Sequence, residues 1–175
     1  DTDPVRSAIG QGTNNFTTTQ LARYVTTVAN RGTCYNLTLI DKVTDSNNNL
    51  LYDNEATVRN TIDDMKTSSW NAIQLGMKRV VEGKSYFREL GVTAAGKTGT
   101  AQESKSRANH ALFVCFAPYE KPEIAIATRI AFGYSSDYAA QTTKDILAFY
   151  YGEDDTEDIV TGTASNIETG TVSGD

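Results

Sequence analysis

"GVTAAGKTGTA", residues 91–101, admits two structures that exclude each other. Its first eight residues fit the phosphate-loop pattern of glycine, any four residues, glycine, lysine, then serine or threonine. Such a loop works because a buried strand delivers a turn whose backbone N–H groups meet phosphates at the start of a helix. The flanks here do not supply those parts. Upstream, "EGKSYFREL" (82–90) is charged and mixed where a buried strand is required. Downstream, "TGTAQESKSRAN" (98–109) holds no amphipathic helix. Nor does a later apolar run end in an aspartate suited to hold magnesium: the run at 111–117 ends at Pro118 and the run at 124–132 at Gly133. Too little chain follows Thr98 for a parallel sheet with crossover helices. The phosphate-loop match is therefore read as coincidental, and the stretch as an extended strand over about 92–103.

On a strand the same residues have a different chemistry. Lys97 supplies a fixed cation, Thr98 a hydroxyl, Gly99 the absence of a side chain, and Thr100 a backbone N–H. The two-residue period sends Lys97 and Thr98 to opposite faces, so both can border one cleft only at the edge of a sheet.

Working outward, "ANHALFVCFAP" (108–118) is almost continuously apolar, which predicts a strand over 109–118. "EIAIATRIAF" (123–132) alternates, with Ile124, Ile126, Thr128, Ile130 and Phe132 on one face and Ala125, Ala127, Arg129 and Ala131 on the other. Pro118 and Pro122 bound a short turn between them, so these strands are expected to be antiparallel neighbours. Helical periodicity marks 18–31, after the threonines Thr17 to Thr19, with Leu21, Tyr24, Val25 and Val28 on one face and Gly32 as a stop. It recurs over 68–82, with Trp70, Ile73, Met77 and Val81 on one face, and over 136–151, ending before Gly152. "LTLIDKVTD" and "LLYDNEATVR" flank the turn cluster "SNNN", a β-hairpin arm over 37–59. The fold class expected is α+β: a three-stranded antiparallel sheet with the C-terminal helix lying across the small, alanine-rich face of its last strand.

Charge is unevenly spread. The net −6 comes from residues 152–175, which carry seven acids and no lysine or arginine, leaving the body of the chain close to neutral. This division gives a folded unit over 1–151 and an acidic tail over 152–175, too poor in apolar residues to offset the entropy of ordering and expected to be disordered. The acidity argues against a nucleic-acid partner. No apolar run approaches the roughly 20 residues of a membrane-crossing helix, and "DTDPVRSAIG" lacks the features of a signal peptide. Cys34 and Cys115 lie 81 positions apart, without metal-type spacing or a disulfide framework, and Cys115 reads as a buried apolar residue. His110 is the sole histidine and reads as structural; no metal and no cofactor are expected.

In chain order, "AIGQG" (8–12), a threonine-rich helix start, "VANRGT" (28–33), "LGMKRVVEG" (75–83), "AGKTGTAQ" (95–102) and "NHALFVCFAP" (109–118), followed by a strand and a helix, resemble the C-terminal half of the transpeptidase domain of class B penicillin-binding proteins. The resemblance runs from Ser7 to about Tyr151 and implies part of the penicillin-binding-protein/serine β-lactamase-like fold. It implies a serine acyltransferase that crosslinks peptidoglycan stem peptides and is acylated by β-lactam antibiotics. By position in the motif, Lys97 would set the cleft's electrostatics and Thr98 would bind the substrate or β-lactam carboxylate. Gly99 would allow close approach, and the Thr100 N–H would form half of an oxyanion hole. The parent would be held by an N-terminal membrane helix at the extracytoplasmic face of the bacterial cell membrane.

The family also needs a serine three residues before a lysine, and a separate Ser-x-Asn, both upstream of the Lys-Thr-Gly strand. No Ser-x-x-Lys occurs: Ser85 and Ser104 are followed by Arg88 and Arg107, which stay protonated. The Ser-x-Asn triplets at Ser46 and Ser69 fall in a hairpin turn and a helix start. The chain is thus expected to be one wall of an active site, inactive alone, whose partner is the missing N-terminal part of the domain. The alternative is a non-catalytic interaction module that uses its sheet edge. In either case the 123–132 strand would present an unpaired edge, and a homodimer or strand-swapped oligomer is expected.

Overall fold

A computed structural model describes residues 4–5, 14–103 and 106–153. The "AIGQG" landmark and the tail from 154 onward lie outside the described residues. In chain order the elements are α1 (Thr18–Ala29), β1 (Cys34–Tyr35), β2 (Lys42–Thr44), β3 (Leu50–Asp53), β4 (Val58–Asn60), α2 (Thr67–Glu82), a 3-10 turn (Ser85–Phe87), β5 (Ala95–Ala101), β6 (His110–Ala117), β7 (Ile124–Ile130) and α3 (Ser136–Tyr150).

Local chemistry sets most boundaries. Thr17 caps α1 through a capping box: its hydroxyl accepts from the Gln20 N–H at 3.1 Å, and the Gln20 side chain accepts from the Thr17 N–H at 2.8 Å. At the other end Arg31 and Gly32 turn left-handed. A Cβ at Gly32 would also stand 2.9 Å from both the Ile62 carbonyl and the Trp70 ring. Ser135 caps α3 by accepting from the Asp137 N–H. α2 starts at Thr67, close to the expected position; its cap is Lys66, which makes no side-chain capping bond, and Ser69 sits inside the first turn. At that point burial of Trp70 and Met77 holds the helix in place of a cap.

The hairpin is present as β2 and β3, with Val43 opposite Tyr52. Asp45 closes its turn by accepting from the N–H groups of Asn47 and Asn49. Those two hydrogen bonds and one from the Asn49 side chain, the last the strongest influence, lower the Asp45 pKa. A second antiparallel pair, β1 with β4, joins the base of the arm, and the sequence reading did not anticipate it. These strands are too short for periodicity to register.

The central sheet has the order β5-β6-β7, antiparallel throughout. Register sorts its side chains into two cores. On one face Phe113, Cys115 and Ala117 of β6 meet Leu147, Ala139 and Ala140 of α3, with Val81 and Phe87 beside them. On the other, Phe116 and Ala95 meet Val25 and Val28 of α1 and Trp70 and Met77 of α2.

One packing expectation is overturned. The alanine face of β7 is covered by α1, with Ala125 against the Val25–Trp70 cluster, and α3 takes the isoleucine face. Ile124, Ile126 and Ile130 pack against the buried cluster to which Ala139, Ala140 and Leu147 of α3 belong. Thr143 sits in this contact with no exposed surface. It donates to the Ala139 carbonyl at 2.8 Å, which leaves its oxygen to accept from Thr128 at 2.7 Å.

A buried side chain that no sequence pattern marked ties α1 to α2. Gln74 donates to the carbonyls of Val28 and Ala29, at 2.9 and 3.1 Å, at the end of α1; the Val28 carbonyl also accepts from the Arg31 N–H.

Candidate functional site: the rim of β5

Residues 95–101 are a strand, and the next helix begins only at Ser136, which removes the phosphate-loop reading. Among the described residues β5 pairs with β6 alone, so the Lys-Thr-Gly segment lies at the sheet's edge, as the opposite facing of Lys97 and Thr98 demands. Lys97 stands opposite Val114 on the α1/α2 face; Thr98 and Thr100 stand opposite Phe113 and Ala111 on the α3 face. Lys97 and Thr100 are exposed, Thr98 and Gly99 half-buried. Lys97 Nζ donates to the Thr98 carbonyl at 2.6 Å, curling the cation over the rim. On a strand the N–H groups of Thr98 and Thr100 point the same way.

Two glycines in β5 have different reasons to be glycine. A Cβ at Gly96 would stand 2.4 Å from the Phe113 ring and 2.9 Å from the Val114 carbonyl, so internal packing occupies that space. At Gly99 the nearest atom is Leu112 Cβ at 3.4 Å, an ordinary contact. Nothing in the described fold requires glycine at position 99.

Behind the rim, Glu103 and His110 form a strut that sequence reading saw only in part. The Phe132 N–H donates to His110 Nδ1 at 3.1 Å, so Nδ1 is the bare nitrogen and Nε2 carries the proton. Nε2 then donates to Glu103 at 2.8 Å. Arg129 also lies 3.4 Å from Nε2, but two donors face each other there, so that approach is proximity and not a bond. The strut joins the exit of β5 to the start of β6 and the turn after β7. His110 has the structural role expected of it; Glu103 carried no signal, because its partner is fixed by the return of the chain through β6.

At the entry to β5, Glu153 accepts from the Gly91 N–H with both carboxylate oxygens, at 3.0 and 3.1 Å. Thr93 bonds Glu120, and that bond first, with help from Lys78, lowers the Glu120 pKa. The Lys84 ammonium, aided by the Tyr86 hydroxyl, holds the Asp137 carboxyl below its usual range. Burial first and Asp137 second push Tyr86 up to about 12.

A groove between the end of α2 and the entry to β5, with Lys78, Lys84, Phe87 and Arg88 in its wall, does not reach Lys97 to Thr100. The rim is one wall, with no facing wall among the described residues. Neither Ser46 nor Ser69 supplies one: the first is in the arm's turn and the second in α2. Among the described residues no three His, Cys, Asp or Glu side chains gather as a metal site, and both cysteines are buried and unbridged.

Comparison with known proteins gives consistent matches. Residues 3–148 match the family described as penicillin binding protein transpeptidase domain. Penicillin-binding protein 2A of Bacillus subtilis is 33% identical over 144 residues, covering 73% of this chain and 20% of that protein. The peptidoglycan D,D-transpeptidase MrdA of Haemophilus influenzae is 26% identical over 176 residues, covering 86% of this chain and 26% of that protein. Among solved structures, an imipenem acyl-enzyme complex of penicillin-binding protein A from M. tuberculosis superposes with a TM-score of 0.73 at 20% identity, over 83% of this chain and 33% of that one. The chain thus spans about a fifth of the first of these relatives, a quarter of the second and a third of the superposed structure.

Proposed function

Since this chain belongs to the penicillin-binding protein transpeptidase family, we propose that it forms one wall of the active site of a serine D,D-transpeptidase that crosslinks peptidoglycan stem peptides. The observation that carries this reading is the exposed Lys97-Thr98-Gly99-Thr100 edge of β5, with a glycine at position 99 that internal packing does not require. A peptide ending in a carboxylate lies along that edge. Lys97 shapes the field of the cleft, and the Thr98 hydroxyl holds the carboxylate. Gly99 lets the peptide backbone approach, and the Thr100 N–H stabilises the oxyanion as the carbonyl is attacked. A β-lactam occupies the same edge because it presents a carboxylate and a strained carbonyl at similar spacing.

The attacking hydroxyl and its base come from polypeptide that this sequence does not include. No serine here is followed three residues later by a lysine, and the arginines at 88 and 107 cannot take a proton from Ser85 or Ser104. The acylation step therefore needs a Ser-x-x-Lys segment facing Lys97 across the cleft. A natural location is the extracytoplasmic face of a bacterial membrane, where stem peptides are; no described helix is long and apolar enough to cross a bilayer.

Intact-mass measurement after incubation with a fluorescent penicillin tests the assignment. The chain alone should gain no covalent adduct. Co-expressed with a family segment that carries Ser-x-x-Lys and Ser-x-Asn, it should enter a complex that is acylated on the added segment, and Thr98→Val should slow that acylation by about tenfold or more. A stoichiometric adduct on the chain alone would overturn the one-wall reading. A folded complex that never acylates would favour a non-catalytic module.

A further inference from the structure

The ladder between β5 and β6 ends at the pair Ala101 and His110. A strand frays first at such an end, and Thr100 is the residue just before it. The chain does not leave freely there. Two residues beyond Ala101, the Glu103 carboxylate accepts from His110 Nε2 at 2.8 Å. The residue that closes the ladder is thus gripped a second time, from outside the strand.

His110 can transmit that hold because it is itself fixed. Its side chain is buried, and its ring centre lies 4.8 Å from that of Phe132. Nδ1 accepts from the Phe132 N–H at 3.1 Å, and Phe132 stands in a left-handed conformation just after β7. The Arg107 guanidinium lies 5.5 Å from the centre of the same Phe132 ring. The imidazole therefore cannot turn without losing a hydrogen bond at one nitrogen or the other. Glu103 differs in kind. Its side chain is 61% exposed, so the bond adds little to overall stability, and what it fixes is the path of residues 101–103.

We propose that Glu103 is a positioning residue for the acylation step, a role that rests on the reading of the β5 rim as an active-site wall. Its carboxylate, through His110, holds the exit of β5 so that the Thr100 N–H stays where the oxyanion forms. An oxyanion donor works by being fixed before the charge develops, and a donor on a fraying end loses that advantage. Glu103 touches no substrate; it acts through the backbone that it anchors. The hold is one N–H to one oxygen, so a neutral acceptor of the same reach replaces the carboxylate.

Nitrogen-15 relaxation on the full chain reads the hold without any chemistry. In the wild type the backbone order parameters of Gly99 to Gln102 should match the rigid value of about 0.85. E103A should lower them towards about 0.6, with the urea midpoint and the order parameters of Phe113 to Phe116 unchanged. E103Q, which keeps an acceptor oxygen, should restore the rim. In the co-expressed complex with a Ser-x-x-Lys segment, E103A should slow acylation about tenfold at saturating penicillin and leave the half-saturating concentration unchanged, and E103Q should recover the rate. A rim that stays rigid in E103A overturns the proposal, as does loosening that E103Q shares or that comes with a general fall in stability. An acylating complex whose rate ignores Glu103 sinks this proposal alone. A complex that never acylates defeats the functional reading first, and the positioning role falls with it.

Discussion

Along β5 the outer edge runs Ala-Gly-Lys-Thr-Gly-Thr-Ala; along β7, the opposite edge of the same sheet, it runs Ile-Ala-Ile-Ala-Thr-Arg-Ile. Both strands register residue for residue against β6. Backbone geometry is therefore shared, and the difference is in the side chains. The β5 edge offers a cation, hydroxyls and a gap at Gly99, which suit a short ligand with a carboxylate. The β7 edge offers hydrocarbon and one guanidinium, which suit another strand. An open sheet edge is a generic hydrogen-bonding surface, and its residues decide what it accepts.

The largest test of this comparison removes what holds the β5 edge from behind. Phe113 is fully buried on β6, packed on Phe87 and filling the space left at Gly96. Phe113→Ala should cost about 3–5 kcal/mol in urea unfolding, because the cavity is enclosed by α3 and the sheet.

Next in size is a paired substitution on β5 itself. Gly96→Ala forces a methyl group against the Phe113 ring and the Val114 carbonyl, and should cost about 1–3 kcal/mol. Gly99→Ala meets only an ordinary contact with Leu112 and should leave stability within about 0.5 kcal/mol. Equal losses at both positions would mean that Gly99 serves the fold, and the distinction between a glycine that packing requires and one that it does not would fail.

A smaller effect separates the buried face from both edges through pH. Burial pushes the Cys115 thiol from its ordinary 9.0 up to about 12, and Tyr86 rises from 10.0 to about 12, chiefly through desolvation and then through Asp137. Both groups are neutral when protonated, and the folded state keeps those protons to higher pH than the unfolded state. Stability is therefore complete below about pH 9 and is lost as pH rises from there towards 12. Thermal melts across that range should show the decline, and Cys115→Ala should make it shallower. At the acid end the sign reverses: Asp137 is depressed by Lys84 and Tyr86, so its contribution is present above 3.8 and disappears as pH falls through the lower folded value. Asp137→Asn should flatten that acid limb.

Much of this was legible because the relevant signals are local. The Lys-Thr-Gly stretch was readable as a strand once its flanks failed to supply a helix. The cap at Thr17, the turn residues 45–49, the alternation through β7 and the periodicity of all three helices each lie within a window of a few residues. What was missed is non-local. Gln74 earned no notice as one polar residue in a helix, yet it meets carbonyls 45 and 46 positions away. Glu103 became meaningful only when β6 returned His110 to it. The alanine face of β7 showed that a helix could approach closely, but not which one. Both α1 and α3 have apolar faces, and only the folded chain puts Ala125 against the cluster of Val25 and Val28 on α1.

The sequence by itself determined that the Lys-Thr-Gly stretch is a strand, the rim residues Lys97 to Thr100, and the absence of any Ser-x-x-Lys, because side-chain period and residue identity are properties of the chain. Tertiary structure alone decided that α1 and α3 divide the faces as they do, and that Gly96 is filled from within while a side chain at Gly99 would meet only Leu112. Those outcomes depend on which atoms from distant parts of the chain compete for the same volume, and close packing resolves that competition only after the chain has folded.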